Sequence, residues 1–183
     1  MGNICFKIEE NPLNVQMPNE NNGNEKLSGT TKDENSQKQK KAITIEDFKN
    51  LGKLGKGSYG KVFLVERKVD NKLFALKRIE KQMLQNRDIR LKDIKNEKEI
   101  MLKAQNPFVI KLHFTFQDEF YLYYGMDYIE GGVLINYIKE SKGFPEKTAK
   151  FFAAQVLMAL KYLHNDLKII YRDLKPENIL IDS

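Results

Sequence analysis

After Gly131-Gly132 the hydrophobic spacing of this chain changes period, and few architectures accommodate both halves. Before the pair, Ile110, Leu112, Phe114 and Phe116 alternate with polar residues, a polar Gln117-Asp118-Glu119 bend follows, and 120–126 is rich in aromatics. That pattern predicts a hairpin. Stretches 48–54, 62–65 and 73–79 read as three more strands, with Asp70-Asn71 as the turn between the last two. Ile94, Glu97 and Met101 fall at helical spacing in a charged segment, so one helix interrupts five strands. After the pair, Phe152, Val156, Ala159 and Leu163 recur at i, i+4, i+7 and i+11, just beyond a proline, Pro145, suited to a first helical turn. Strands followed by helices predict an α+β fold in two lobes: a five-stranded antiparallel small lobe with one helix over 42–127, and the first helical part of a large lobe over 128–183.

The segment before this domain has a different composition. Residues 9–41 are rich in Asn, Lys, Glu and Gln, with only Leu13, Val15, Met17 and Leu27 as sizeable apolar side chains. Residues 1–41 are therefore expected to be a disordered tail, with the boundary near Ile43. The net charge of +6 lies wholly beyond it, since 1–41 hold six Lys and six Asp or Glu and leave 25 Lys or Arg against 19 acids. Such a balance suits nucleic acid, phosphate ligands and anionic lipid about equally. Binding of nucleic acid is not expected, because the basic side chains are scattered among acids rather than gathered on a face with stacking aromatics.

Cys5 is the only cysteine, which excludes an intrachain disulfide and favours an intracellular, cytoplasmic protein. Lys7, Glu9 and Glu10 interrupt the short apolar start, so no secretory signal is read. The longest apolar stretch, 151–160, is about half of the ~20 residues a membrane span needs. Two His and one remote Cys make no zinc site, and His113 and His164 are expected on a strand's polar face and near a helix end.

Gly55-Lys56-Gly57-Ser58-Tyr59-Gly60-Lys61-Val62 fits G-x-G-x-x-G-x-V. Glycines let backbone N–H groups approach an anion closely, as a phosphate cover requires. A nucleotide-binding P-loop needs Ser or Thr after the lysine, and Val62 stands there. A dinucleotide fingerprint should open a helix, whereas Val62-Phe63-Leu64-Val65 reads as a strand. What stays open is a phosphate-covering hairpin or a plain glycine-rich turn. On the next strand Ala75 leaves room for a flat base, and Lys77 can reach phosphates if an anion holds it. Glu97 is the candidate partner, with Ile94 and Met101 at i−3 and i+4 turning it toward the sheet, while the rival Glu99 points elsewhere. At ~4 Å and an effective dielectric of ~20 such a pair gains about 4 kcal/mol before desolvation.

Ile169-Ile170-Tyr171-Arg172-Asp173-Leu174-Lys175-Pro176-Glu177-Asn178-Ile179-Leu180 is the sharpest motif. It resembles the catalytic loop of protein kinases, with Tyr171 where His is commoner, and Y-R-D-L-K-P-E-N is similar to the AGC group of serine/threonine kinases. Met126-Asp127-Tyr128-Ile129 resembles the hinge between the lobes of that family, and the likeness covers about 46–183. The resemblance implies transfer of phosphate from ATP to Ser or Thr hydroxyls of a protein substrate, with magnesium. It implies Asp173 as proton acceptor, Asn178 as metal ligand and Lys175 at the γ-phosphate. Nucleotide contacts are implied from Leu54, Gly55, Lys56, Gly57, Ser58, Tyr59, Gly60, Val62, Ala75, Lys77, Glu97, Asp127, Ile129 and Leu180.

The resemblance also brings out departures. The D-F-G aspartate, activation segment and A-P-E that follow the catalytic loop in the family order are not in this sequence, which ends at Ser183. The expectation is a fragment or truncated product, inactive alone, with the helix face of Phe152, Val156 and Leu163 uncovered. The alternative is a non-catalytic nucleotide-binding or interaction module. Val133 stands where many AGC relatives carry an acidic residue, so a standard preference for arginine in the substrate is not expected. Finally, Met1-Gly2-Asn3-Ile4-Cys5-Phe6 resembles part of a myristoylation signal, with Cys5 palmitoylatable and Phe6 in place of Ser or Thr. Two readings stand: weak membrane association through acylation at Gly2 and Cys5, or an unmodified start.

Overall fold

In the computed structural model, residues 6–9, 42–57, 60–84 and 88–182 are described. Five strands, β2 (Phe48–Gly57), β3 (Gly60–Arg67), β4 (Lys72–Glu80), β5 (Leu112–Gln117) and β6 (Tyr121–Asp127), form an antiparallel sheet in the order β2-β3-β4-β6-β5. One helix, α1 (Asp88–Lys103), interrupts them. The turn between β3 and β4 holds Asn71 at φ 55, a left-handed position that asparagine tolerates.

Alternation along β4 divides the core. Phe74 and Leu76 join Phe48, Val65, Phe114 and Tyr123 on one face of the sheet. Ile79 faces the other way, into the cluster shared by Ile94 and Met101 of α1. Lys77 faces the same way as Ile79, since side chains two apart share a face. On β6 the same rule puts Tyr124 with α1 and Tyr123 with the outer aromatics. Gly125, next along the strand and on the Tyr123 side, has no room for a side chain, because a Cβ there would collide with the Phe114 ring.

The helical part consists of α2 (Leu134–Glu140) and α3 (Glu146–Lys161), the latter starting directly after Pro145. Leu163 is fully buried but lies past the end of α3, in a five-residue π turn at Tyr162–Asp166, which corrects the expectation of one continuous helix. The chain then runs without regular structure to a 3₁₀ turn at Pro176–Asn178 and into β7 (Ile179–Asp182).

A second correction concerns the N-terminal segment. Phe6–Glu9 is a strand, β1, paired in parallel with β7 in the register Phe6 to Ile179, Lys7 to Leu180, Ile8 to Ile181 and Glu9 to Asp182. Phe6 is 0% and Ile8 1% exposed. The physical reason is apolar burial: β1 packs on α3, and Phe6 and Ile8 share one core with Phe152, Ala159, Leu163, Ile179 and Ile181. The face of α3 expected to be bare is therefore covered from within the chain. The rest of the expected tail, 10–41, lies outside the described residues, as do Gly2 and Cys5.

Candidate functional site

A cleft of about 430 Å³ opens where the sheet meets the helical part. That volume is within the range of small-molecule sites, about 300–1,000 Å³. β2 and β3 supply Leu54, Gly55, Lys56 and Val62, β4 supplies Ala75 and Lys77, the end of β6 supplies Asp127, and the segment after it supplies Ile129. From the far side come Asn178 and Leu180, more than a hundred residues along the chain from Lys77. The cross-strand registers that set Val62 beside Lys77, and Ala75 beside Met126, bring these positions together.

Gly57 ends β2 and Gly60 opens β3, paired with each other across the turn. Ser58 and Tyr59, the tip of the glycine loop, lie outside the described residues. A Cβ on Gly60 would collide with the carbonyl oxygen of Arg78, so only glycine permits β3 to lie this close to β4.

Lys77 and Glu97 form a buried ion pair, Nζ donating to Oε1 at 2.7 Å. Both are nearly inaccessible, at 6% and 3%, and Glu99 is exposed. Burial and the adjacent Glu97 carboxylate push the Tyr124 phenol up to about 12, so Tyr124 stays protonated and its hydroxyl donates to the Ile94 carbonyl at 3.3 Å. Glu97 does not line the cleft. It acts on the cleft through Lys77.

Asp173 sits in the loop before β7, following Arg172 at φ 65, a left-handed conformation uncommon for such a residue. Lys175 Nζ approaches Asp173 Oδ1 at 3.0 Å. Asn178 Nδ2 donates to Asp173 Oδ2 at 2.9 Å and to its carbonyl at 2.8 Å. The Lys175 contact, with the Asn178 hydrogen bond, outweighs desolvation and lowers the Asp173 carboxyl below its ordinary value. Asp173 is therefore an anion at neutral pH. Asn178 is 4% exposed, and with its amide nitrogen committed to Asp173 its oxygen is the atom left to meet a cation.

Seven further residues line the cleft: Ile110, Met126, Tyr128, Gly132, Val133, Asn136 and Glu177. Met126 and Tyr128 belong to the segment read as a hinge, so their neighbourhood was legible. Ile110 and Asn136 carried no signal, because their place depends on how α1 and α2 pack. His113, expected on a polar strand face, is within 2.6 Å of Asp127 through Nε2 and Oδ1. Asp127 also accepts from the Lys111 amide at 3.0 Å, so its carboxylate faces β5.

Comparison with known proteins points to one family. Rat serine/threonine-protein kinase Sgk3 is 46% identical over 138 residues, which is 75% of this chain and 27% of that protein. Protein kinase 3 of Dictyostelium discoideum is 44% identical over 144 residues, 78% of this chain and 16% of that one. Serine/threonine-protein kinase sgk-1 of Caenorhabditis elegans is 38% identical over 146 residues, 79% and 31% respectively. The chain thus spans less than a third of the length of each of these three relatives. The protein kinase domain model matches residues 48–183, well over half the sequence, and the chain belongs to the protein kinase domain family.

Proposed function

We propose that this chain binds ATP in the interlobe cleft and carries the phosphoryl-transfer groups of a serine/threonine protein kinase. The observation that carries the proposal is the convergence of Lys77, held by Glu97, and Asn178, held to Asp173, on one cleft with the apolar Ala75, Met126 and Leu180. Apolar walls suit a flat base, and the cationic end suits phosphates. Lys77 is positioned to contact the phosphates because Glu97 fixes its ammonium. In the transfer step a substrate hydroxyl oxygen forms a bond to the γ-phosphorus, the bond to the ADP oxygen breaks, and the hydroxyl proton passes to an Asp173 carboxylate oxygen. Lys175 offsets the negative charge beside Asp173. Magnesium, when bound with the triphosphate, neutralises phosphate charge, and Asn178 Oδ1 is the side-chain oxygen offered to it.

Serine and threonine are favoured as acceptors by the likeness of the 171–178 loop to that branch. Val133, at the edge of the cleft, offers no carboxylate to a basic substrate residue. A second reading, a nucleotide-binding module without transfer activity, is favoured by one observation. Asp173 and Lys175 are not among the residues that line the cleft, whereas Ala75 and Lys77 are. Titrating the full chain with a fluorescent ATP analogue tests the shared part: saturable binding lost in Lys77→Met supports the cleft, and no saturable binding overturns it. Transfer of labelled γ-phosphate to Ser peptides then separates the two readings.

Membrane association through acylation at Gly2 and Cys5 belongs to the same proposal and rests on sequence alone. Among the described residues no helix is long and apolar enough to cross a membrane. Labelling with a myristate analogue, compared with Gly2→Ala, tests it: label on the parent alone supports acylation, and no label on the parent ends the idea.

A further inference from the structure

Phe6 touches the catalytic loop at both shoulders. Its ring lies 4.4 Å from that of Tyr171, two residues before Asp173. Its register partner on β7 is Ile179, the residue after Asn178. Backbone contacts extend the grip: the Lys7 amide donates to the Phe108 carbonyl at 3.1 Å, and Phe6 bridges Val109. That second attachment is to the segment that runs from α1 to β5 and carries Ile110 into the cleft. Lys7 Nζ is 3.5 Å from Asp182 Oδ2.

The two faces of β7 do different things. Ile179 and Ile181 turn inward and share the core with Phe6 and Ile8, whereas Leu180 between them lines the cleft. The Ile181 amide donates to the Gly132 carbonyl at 2.9 Å, and Val133 bridges Leu180. Whatever seats β1 therefore also sets the position of Leu180, Asn178 and Asp173. The seat itself is made for an apolar-x-apolar strand, in which backbone pairing gives affinity and alternate side chains fill pockets.

We propose that Phe6–Glu9 is a docking strand that acts in cis as a positive effector of the cleft, so that its seating on β7 tightens nucleotide binding without touching the nucleotide. The inference rests on the nucleotide-binding reading above. Coupling of this kind is reciprocal: nucleotide in the cleft must strengthen seating of the strand by the same factor.

The experiment uses the full chain. Phe6→Ala/Ile8→Ala, which empties both pockets, is titrated with the fluorescent ATP analogue beside the parent. A dissociation constant raised about tenfold is expected, within the range common for coupled sites. A synthetic peptide of residues 4–10 added in trans restores most of that loss, and a scrambled peptide does not. Equal affinity of parent and variant, or no rescue by the native peptide, overturns the proposal. Hydrogen exchange on the parent answers the same question should the double variant fail to fold. Saturation with the analogue slows exchange of the Lys7 amide and of the 179–182 amides by a similar factor, and unchanged exchange overturns the coupling. A parent that binds no nucleotide defeats the functional reading and the coupling together, whereas a Phe6→Ala/Ile8→Ala variant that binds as tightly as a nucleotide-binding parent defeats the coupling alone.

Discussion

Replacing Glu97 with glutamine keeps the shape of the side chain and removes its charge, which isolates what the buried pair contributes. The two side chains are 8% and 2% exposed and 2.7 Å apart. At an effective dielectric of ~20, that separation gives a gross attraction of about 6 kcal/mol, much of it offset by the cost of taking both ions out of water. Removing one partner leaves the offset without the attraction, and the Lys77 ammonium stays buried beside a neutral amide. The expected loss is about 3–5 kcal/mol, a large part of the roughly 5–15 kcal/mol that holds a domain together. Urea unfolding followed by far-ultraviolet circular dichroism reads it as a lower midpoint at unchanged slope. Lys77→Met/Glu97→Leu removes both charges and is expected to fall within about 1 kcal/mol of the parent or above it, yet to bind nucleotide poorly. A Glu97→Gln chain within about 0.5 kcal/mol of the parent would refute the stability reasoning. A double variant with parental nucleotide affinity would remove Lys77 from the site.

The geometry sets further outcomes. The depressed Asp173 carboxyl contributes stability that is present above its unfolded value of about 3.9 and lost as pH falls through the lower folded value. Carboxyl-carbon NMR should put its midpoint below that of an ordinary Asp in the parent and higher in Lys175→Met, and equal midpoints would contradict the role given to Lys175. Asn178→Ala should abolish the gain in nucleotide affinity that magnesium gives the parent, and a gain that persists would place the cation elsewhere. Gly125→Ala, with its Cβ forced against the Phe114 ring, should cost about 1–3 kcal/mol and lower Tm by roughly 2–10 °C. Gly55→Ala, with open space at its Cβ, should leave Tm within about 2 °C in the same scan.

The elements whose partners are near in sequence were legible before the structure. Ile94, Glu97 and Met101 lie on one buried helix face because their spacing dictates it. The 110–126 hairpin announced itself by alternation and a polar bend. What stayed hidden depends on distant partners. Phe6–Glu9 is four residues beside a long polar run, and its partner, β7, lies some 170 residues along the chain, so no local period marks it as a strand. Leu163 keeps the helical spacing of α3, but the chain winds into a π turn first, and periodicity cannot tell the two apart. In the cleft, the motif residues of β2 to β4 could be named from their order. Ile110 and Asn136 enter only because the packing of α1 and α2 leaves them facing the same space.

The claim on which the rest depends is that the sheet and the 177–180 segment enclose one nucleotide cleft. Photo-crosslinking the full chain with an azido-adenine ATP analogue, and mapping the modified peptides by mass spectrometry, tests it most directly. A single cleft predicts adducts on both sides, at Leu54, Ala75 or Met126 from the sheet and at Leu180 from β7, all suppressed by excess ATP and by Lys77→Met. Adducts confined to one side, or spread over surface residues and indifferent to ATP, would contradict it.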